Sequence, residues 1–192
     1  MSFTSLYFPV FCIISVIIYY KIPKRYQWIS LLVLSVIFYA CSDLRYLLFL
    51  GLSIVTTWAL MIKPTKFRTV MVFVINLTLL AACKYCGIFA IKNIMLPLGI
   101  SFYTFMTLGY ALDVYGEIIQ PQQNLAKYAL FISYFPQITQ GPIGNYGTLE
   151  PQLFSGHDFD GIRFRNGAYR VIKGYFKKLV IAGRLADYVS TV

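Results

Sequence analysis

Negative charge is almost missing from this sequence. Only 7 of its 192 residues are Asp or Glu, against 17 Lys and Arg, and charged side chains total 12% where 58% are hydrophobic. Soluble chains carry about a quarter charged residues, so a mean hydropathy of +0.67 reads as a chain whose main solvent is lipid. Histidine occurs once and cysteine four times. Cys12 and Cys41 sit inside apolar runs, and Cys83 and Cys86 form a lone C-x-x-C with neither a second ligand pair nor a thioredoxin-like unit around it. That pattern carries no recognisable zinc or dithiol redox site. No Ser-, Gly- or Pro-rich linker, low-complexity tract or internal repeat interrupts residues 1–192. The chain reads as a single membrane domain, and the missing repeat weighs against a secondary transporter, since many of those carry one.

In place of charge there are aromatic-rich, uncharged runs of membrane-spanning length. Residues 2–20 hold no charge, enough helix at ~1.5 Å per residue to cross a hydrocarbon layer ~30 Å thick. Residues 26–42, 46–62, 69–83, 93–112 and 128–149 are uncharged in the same way. The first run has no leading basic region, and no small-residue cleavage site precedes Lys21 to Arg25, so it reads as a retained span rather than a signal sequence. Short polar links, among them Asp43-Leu44-Arg45-Tyr46 and Lys63-Pro64-Thr65-Lys66, make the first four spans antiparallel neighbours. The expected fold is an all-α polytopic membrane protein, a multi-helix transmembrane bundle with broken or re-entrant segments.

The net charge of +10 reads as cytoplasmic loop charge rather than a nucleic-acid footprint. Lys21, Lys24 and Arg25 follow the first span, Asp43 and Arg45 cancel after the second, Lys63, Lys66 and Arg68 follow the third, and Lys84 and Lys92 follow the fourth. This alternation predicts an extracytoplasmic N-terminus with the first and third loops inside. Membrane lipid is the expected partner, and no nucleic acid is.

Two stretches break the apolar texture. Leu96-Pro97-Leu98-Gly99-Ile100-Ser101-Phe102-Tyr103-Thr104-Phe105 sets a helix breaker and a permissive glycine before a run of hydroxyls and aromatics. Either the backbone is irregular at membrane depth, buried in protein or lining a wet cavity, or a surface turn precedes an ordinary span starting near Ser101. The second stretch, Phe135 to Gly147, holds Pro136, Pro142, Gly141 and the amides Gln137, Gln140 and Asn145. An unpaired amide in hydrocarbon costs on the order of 2–7 kcal/mol, so these amides either brace helices or line a polar funnel. The tail, as an amphipathic helix over about 166–190, carries Arg170, Lys173, Lys177 and Arg184 on one side. Its cations either snorkel to lipid phosphates or meet a phosphorylated acyl donor.

Catalytic candidates are few. His157, in Ser155-Gly156-His157-Asp158, has a carboxylate next to it, as a general base would, but no activated Ser or Cys nearby; it reads as a solvated loop histidine. Asp113, closing the run from Asn93, is an expensive charge near membrane depth and so a functional suspect, or else an interfacial residue.

Pro97 to Phe105, followed by Tyr110-Ala111-Leu112-Asp113-Val114-Tyr115, resembles a signature of the membrane-bound O-acyltransferase family. It is most similar to the bacterial branch that acetylates alginate and other exported polysaccharides and includes the teichoic-acid D-alanylation protein. Tyr134-Phe135-Pro136-Gln137 through Gly141-Pro142-Ile143, then Pro151-Gln152-Leu153, resembles the next family block, and Gly174 to Ala182 the one after. Met106 and Gly183 depart from the pattern, standing where glutamine and aspartate are common. The resemblance implies a helical funnel in a bacterial inner membrane, with acyl donor on one side and acceptor on the other. Acetyl-CoA or another activated acyl group would be co-substrate, a polysaccharide the acceptor, and accessory acyltransferase subunits the partners. Pro97, Gly99, Ser101, Phe102, Thr104 and Phe105 would shape the core wall, with Asp113 beside it. Phe135, Pro136, Gly141 and Pro142 would form the bent segment, and Lys177 and Lys178 a basic foot. The family's catalytic histidine lies in a later segment of proteins roughly twice this length, and His157 does not occupy its place. The chain is therefore expected to match the N-terminal half of such an enzyme, without a catalytic residue or metal of its own. A non-catalytic membrane module or relic that scaffolds a partner subunit is the alternative, and a small channel or transporter comes third.

Overall fold

The computed structural model describes residues 7–41, 43–85, 97–137, 143–182 and 184–185. Eight α-helices and no strand occur among them: α1 (Tyr7–Lys21), α2 (Gln27–Ala40), α3 (Leu44–Met61), α4 (Lys66–Tyr85), α5 (Ile100–Tyr115), α6 (Leu125–Ser133), α7 (Tyr146–Phe154) and α8 (Gly161–Phe176). A 3-10 turn at Lys24–Tyr26 leads into α2, and a wider π-type turn, Lys177–Ala182, extends α8.

Local chemistry sets the helix starts. Asp43 accepts from the Arg45 backbone N–H at 2.8 Å, Asn124 from Ala126 and Lys127, Asn145 from Gly147, and Asp160 from Ile162 and Arg163. Each side chain satisfies backbone donors that the first helical turn leaves unpaired. Among the described residues, only α3 and α4 are both long and apolar enough to cross a membrane. With 14 residues, α2 rises only about 21 Å, because Pro23 limits it at one end and the Asp43 cap starts a new helix at the other.

The bundle is built around α2 and α3. The first packs on α1, α3, α6 and α7, and the second on α2, α4, α5 and α6. Phe38, Tyr39, Met61, Val72, Tyr103 and Tyr128 are fully buried. Between α3 and α4 the polar core is complete: Asn76 accepts from the Ser53 hydroxyl and donates to Thr57 Oγ1 (3.1 Å) and to the Val72 carbonyl (2.9 Å). Outside, large apolar side chains stand open, Leu48 and Phe67 at 74% exposure. Such a surface is costly in water, at about 25 cal/mol per Å², and at home in hydrocarbon.

The uncharged run 128–149 is not one helix. α6 stops at Ser133, Tyr134 to Gln137 turn, and α7 begins at Tyr146, as a segment with Pro136 in its path must. The tail differs from its expected boundaries as well: α8 begins at Gly161, where Asp160 caps it, and residues 186–192 lie outside the described part.

Candidate functional site

The Pro97 segment folds as a turn in front of α5, with Gly99 in the left-handed region at φ 72°. A turn leads into α5 at Ile100, but it is not at the surface: Pro97 and Ile100 are buried, as the reading of irregular backbone packed in protein requires. Ser101 and Phe102 are half-buried and Thr104 is fully buried. Phe105 does not join a core wall: it is 49% exposed. The inward stripe of α5 runs through Tyr103, Thr104, Thr107, Tyr110, Ala111 and Val114, which at ~3.6 residues per turn leaves Phe105 and Leu112 facing out. The hydroxyls of Tyr39, Tyr103 and Thr104 are buried and have no hydrogen-bond partner among the described residues. Each costs roughly 1–3 kcal/mol in that condition, which water or a polar ligand would relieve.

Two of the sequence blocks meet directly. Asp113 accepts from Asn145 Nδ2 at 3.0 Å. Gln122 adds a second tie: its backbone N–H donates to the Tyr110 hydroxyl (2.8 Å), its side-chain amide donates to the Tyr146 hydroxyl (2.7 Å), and its carbonyl accepts from Trp58 Nε1 (2.9 Å). Beneath this hub, the Tyr110 ring packs on Tyr128 (4.6 Å) and Tyr146 (5.2 Å), and Phe131 on Tyr146 (5.0 Å). Phe135 is buried against Phe11 and Phe38, with its backbone N–H donating to Ser35 Oγ at 3.3 Å, while Pro136 is exposed. Gly141 and Pro142 lie outside the described residues, and so do Cys86, Lys92, Gln140 and Gly183. Lys177 and Lys178 are exposed on the turn after α8.

A cavity of about 760 Å³ opens between α1, α2, the Tyr134–Pro136 turn, α7 and the loop that follows it. Cys12, Val16, Leu31, Leu149 and Leu153 give it an apolar wall; Tyr19, Gln152, His157 and Arg163 give it a polar end. His157 is thus no solvated loop residue. Its backbone N–H donates to Gln27 Oε1 (2.8 Å), its carbonyl accepts from Gln27 Nε2 (3.0 Å), and its Nδ1 lies 3.2 Å from the Tyr19 hydroxyl. Lys24 pairs with Asp158 at 2.6 Å and Tyr20 packs on Phe159 at 5.2 Å, so the whole loop is fastened to the α1–α2 corner. Gly156, at φ 64°, lies so close to Lys24 that a Cβ would come within 2.8 Å of that residue's own Cβ. Sequence reasoning missed Tyr19 and Gln27. The available signal was a glutamine just inside an apolar run, which must find a partner when buried, with nothing nearby to name that partner.

The fold and its surface define a helical membrane protein with one polar-ended cavity among its described features. Comparison with known proteins narrows the class. Along 96% of its length the chain is 29% identical to the probable alginate O-acetylase AlgI of Pseudomonas syringae pv. tomato, over 210 aligned positions, and 31% identical to that of Pseudomonas aeruginosa. The peptidoglycan O-acetyltransferase of Helicobacter pylori is 28% identical over 83% of the chain. The chain is a homologue of the alginate O-acetylases, the branch its sequence blocks resemble, and it spans 39% of the length of each of these three relatives. No family model matches it, and no solved structure does.

Proposed function

We propose that the chain is the membrane-embedded funnel portion of an O-acyltransferase that acetylates an exported polysaccharide. The homology along 96% of the chain to alginate O-acetylases carries this reading. In it, the bundle sits in the inner membrane with its N-terminus extracytoplasmic, α3 and α4 crossing the bilayer, and the Asp113–Asn145 and Gln122 ties hold the α5 and α7 blocks in fixed relation beside the acceptor path. The buried hydroxyls of Tyr103 and Thr104 on α5 offer polar contacts inside the bundle. The acyl donor is an activated acetyl group, and accessory subunits complete the system.

The chain's own residues position and bind. Transfer to a hydroxyl needs a base to take its proton, and the single histidine has its backbone and one ring nitrogen engaged at the α1–α2 corner. Ser101 and Thr104 have no recognisable base next to them in the sequence, so this reading gives them a place in the funnel wall rather than a nucleophile's role. The test is deletion of the gene for this chain in its own cell, with ester-linked acetate on the exported polymers measured by mass spectrometry. Loss of acetate, restored by the gene in trans, is expected; unchanged acetylation of every exported polymer overturns the proposal.

A further inference from the structure

The polar lining of the cavity includes an arginine, Arg163. Its guanidinium has no ion pair among the described residues. Of the two acids close in sequence, Asp158 pairs with Lys24, and Asp160 caps α8 by accepting from the backbone N–H groups of Ile162 and Arg163. No carboxylate lines the cavity. His157 presents its second ring nitrogen with no partner among the described residues, and Tyr19 presents its hydroxyl beside Nδ1. A guanidinium in the same cavity as a Tyr19–His157 pair suits a phosphate: with Nδ1 accepting from the Tyr19 hydroxyl, Nε2–H is left as the donor to a ligand. The volume of about 760 Å³ is that of a small-molecule site, within the usual range of about 300–1,000 Å³.

The rest of the lining says what the phosphate is attached to. Val16, Leu31 and Leu153 give the same cavity an apolar lining. The cavity is open and takes lining residues from α1, whose Ile13, Ile14 and Ile17 are exposed, and from α8, whose Ile162 and Phe164 are exposed. From Gly161 to Arg184 the sequence has seven cations (Arg163, Arg165, Arg170, Lys173, Lys177, Lys178 and Arg184) and no acid, and α8 buries none of its residues. A basic helix with an exposed apolar face lies along an anionic lipid surface. A ligand reaching this cavity therefore comes from the bilayer.

We propose that the cavity is a specific site for an anionic phospholipid, with the phosphate held by Arg163 and by His157, which Tyr19 orients, and the upper acyl carbons against Val16, Leu31 and Leu153. The site stands on this geometry and is independent of the acyltransferase reading. The test is calorimetric titration of the full chain in zwitterionic micelles with dihexanoyl phosphatidic acid, dihexanoyl phosphatidylcholine and coenzyme A, the last as a soluble phosphoester. Saturable one-to-one binding of phosphatidic acid is expected, at least about tenfold tighter than either other probe, because a charge-assisted contact is worth roughly 1.5–3 kcal/mol. Arg163→Gln should weaken it about 10- to 100-fold, Val16→Trp should abolish it by filling the wall, and Arg165→Gln, outside the cavity, should leave it unchanged. Equal affinity for phosphatidylcholine, tighter binding of coenzyme A, or unchanged binding in Arg163→Gln or Val16→Trp would each overturn the proposal.

Discussion

Gln27 and His157 exchange two hydrogen bonds, the glutamine amide giving one to the histidine carbonyl (3.0 Å) and accepting one from its backbone N–H (2.8 Å). The Gln27 side chain is almost fully buried, so it acts as a two-pronged clamp on a loop 130 residues downstream. Replacing it with Leu leaves both loop groups half-buried and unpaired, a loss of about 1–3 kcal/mol. Thermal unfolding of Gln27→Leu in detergent should show a lower midpoint, and a cysteine at His157 should label faster in the Gln27→Leu background; an unchanged midpoint would mean the clamp is dispensable.

Gly156 tests the same corner through the backbone. A side chain in the left-handed region costs about 1–2 kcal/mol, and here it also meets Lys24. Gly156→Ala should lower the unfolding midpoint clearly, while Gly161→Ala, whose added carbon meets nothing within 4 Å, should not. Equal midpoints for the two variants would refute the close approach.

Asp113→Ala removes the acceptor for Asn145 Nδ2 but not the Asn145 cap on α7. The bond is partly open to solvent, so a stability loss near ~1 kcal/mol is expected. In a cell where the chain supports polymer acetylation, the variant should acetylate less because α5 and α7 are no longer registered. Wild-type acetylation at a reduced melting point would make the bond structural only.

Reporter fusions after Arg25 and after Arg68 should report cytoplasm, and a fusion at Asp43 the exterior, from the alternation of basic loops. The opposite result at all three positions would invert the orientation.

Purified chain incubated with labelled acetyl donor and a hydroxylated polymer should transfer no label, and His157→Ala should behave identically. Robust transfer that disappears in the variant would make His157 a catalytic base.

The run-and-break texture of the sequence told most about the helices. The uncharged stretches 46–62 and 69–83 correspond to α3 and α4 because charge and Pro64 bound them on each side. Pro136 announced that no straight helix could fill 128–149, but not that nine residues from Tyr146 would form a separate α7 capped by Asn145. The outward turn of Phe105 was hidden because α5 carries a single charge, Asp113, and its other side chains are apolar or hydroxylated, leaving no polar face broad enough to set the phase of the helix. The cavity was hidden for another reason: Tyr19, His157 and Arg163 come from opposite ends of the chain, and pairing of that range leaves no periodic mark.

The clamp on the loop before α8 also fixes an order of events. A ribosome adding about 5–20 residues per second needs roughly 6–26 s to travel from Gln27 to His157. Throughout that interval the glutamine amide has no loop to hold, and the α1–α2 corner faces whatever the insertion machinery provides. The corner can close only after α1 to α7 have been made, so the cavity takes shape with every wall but α8 already synthesised.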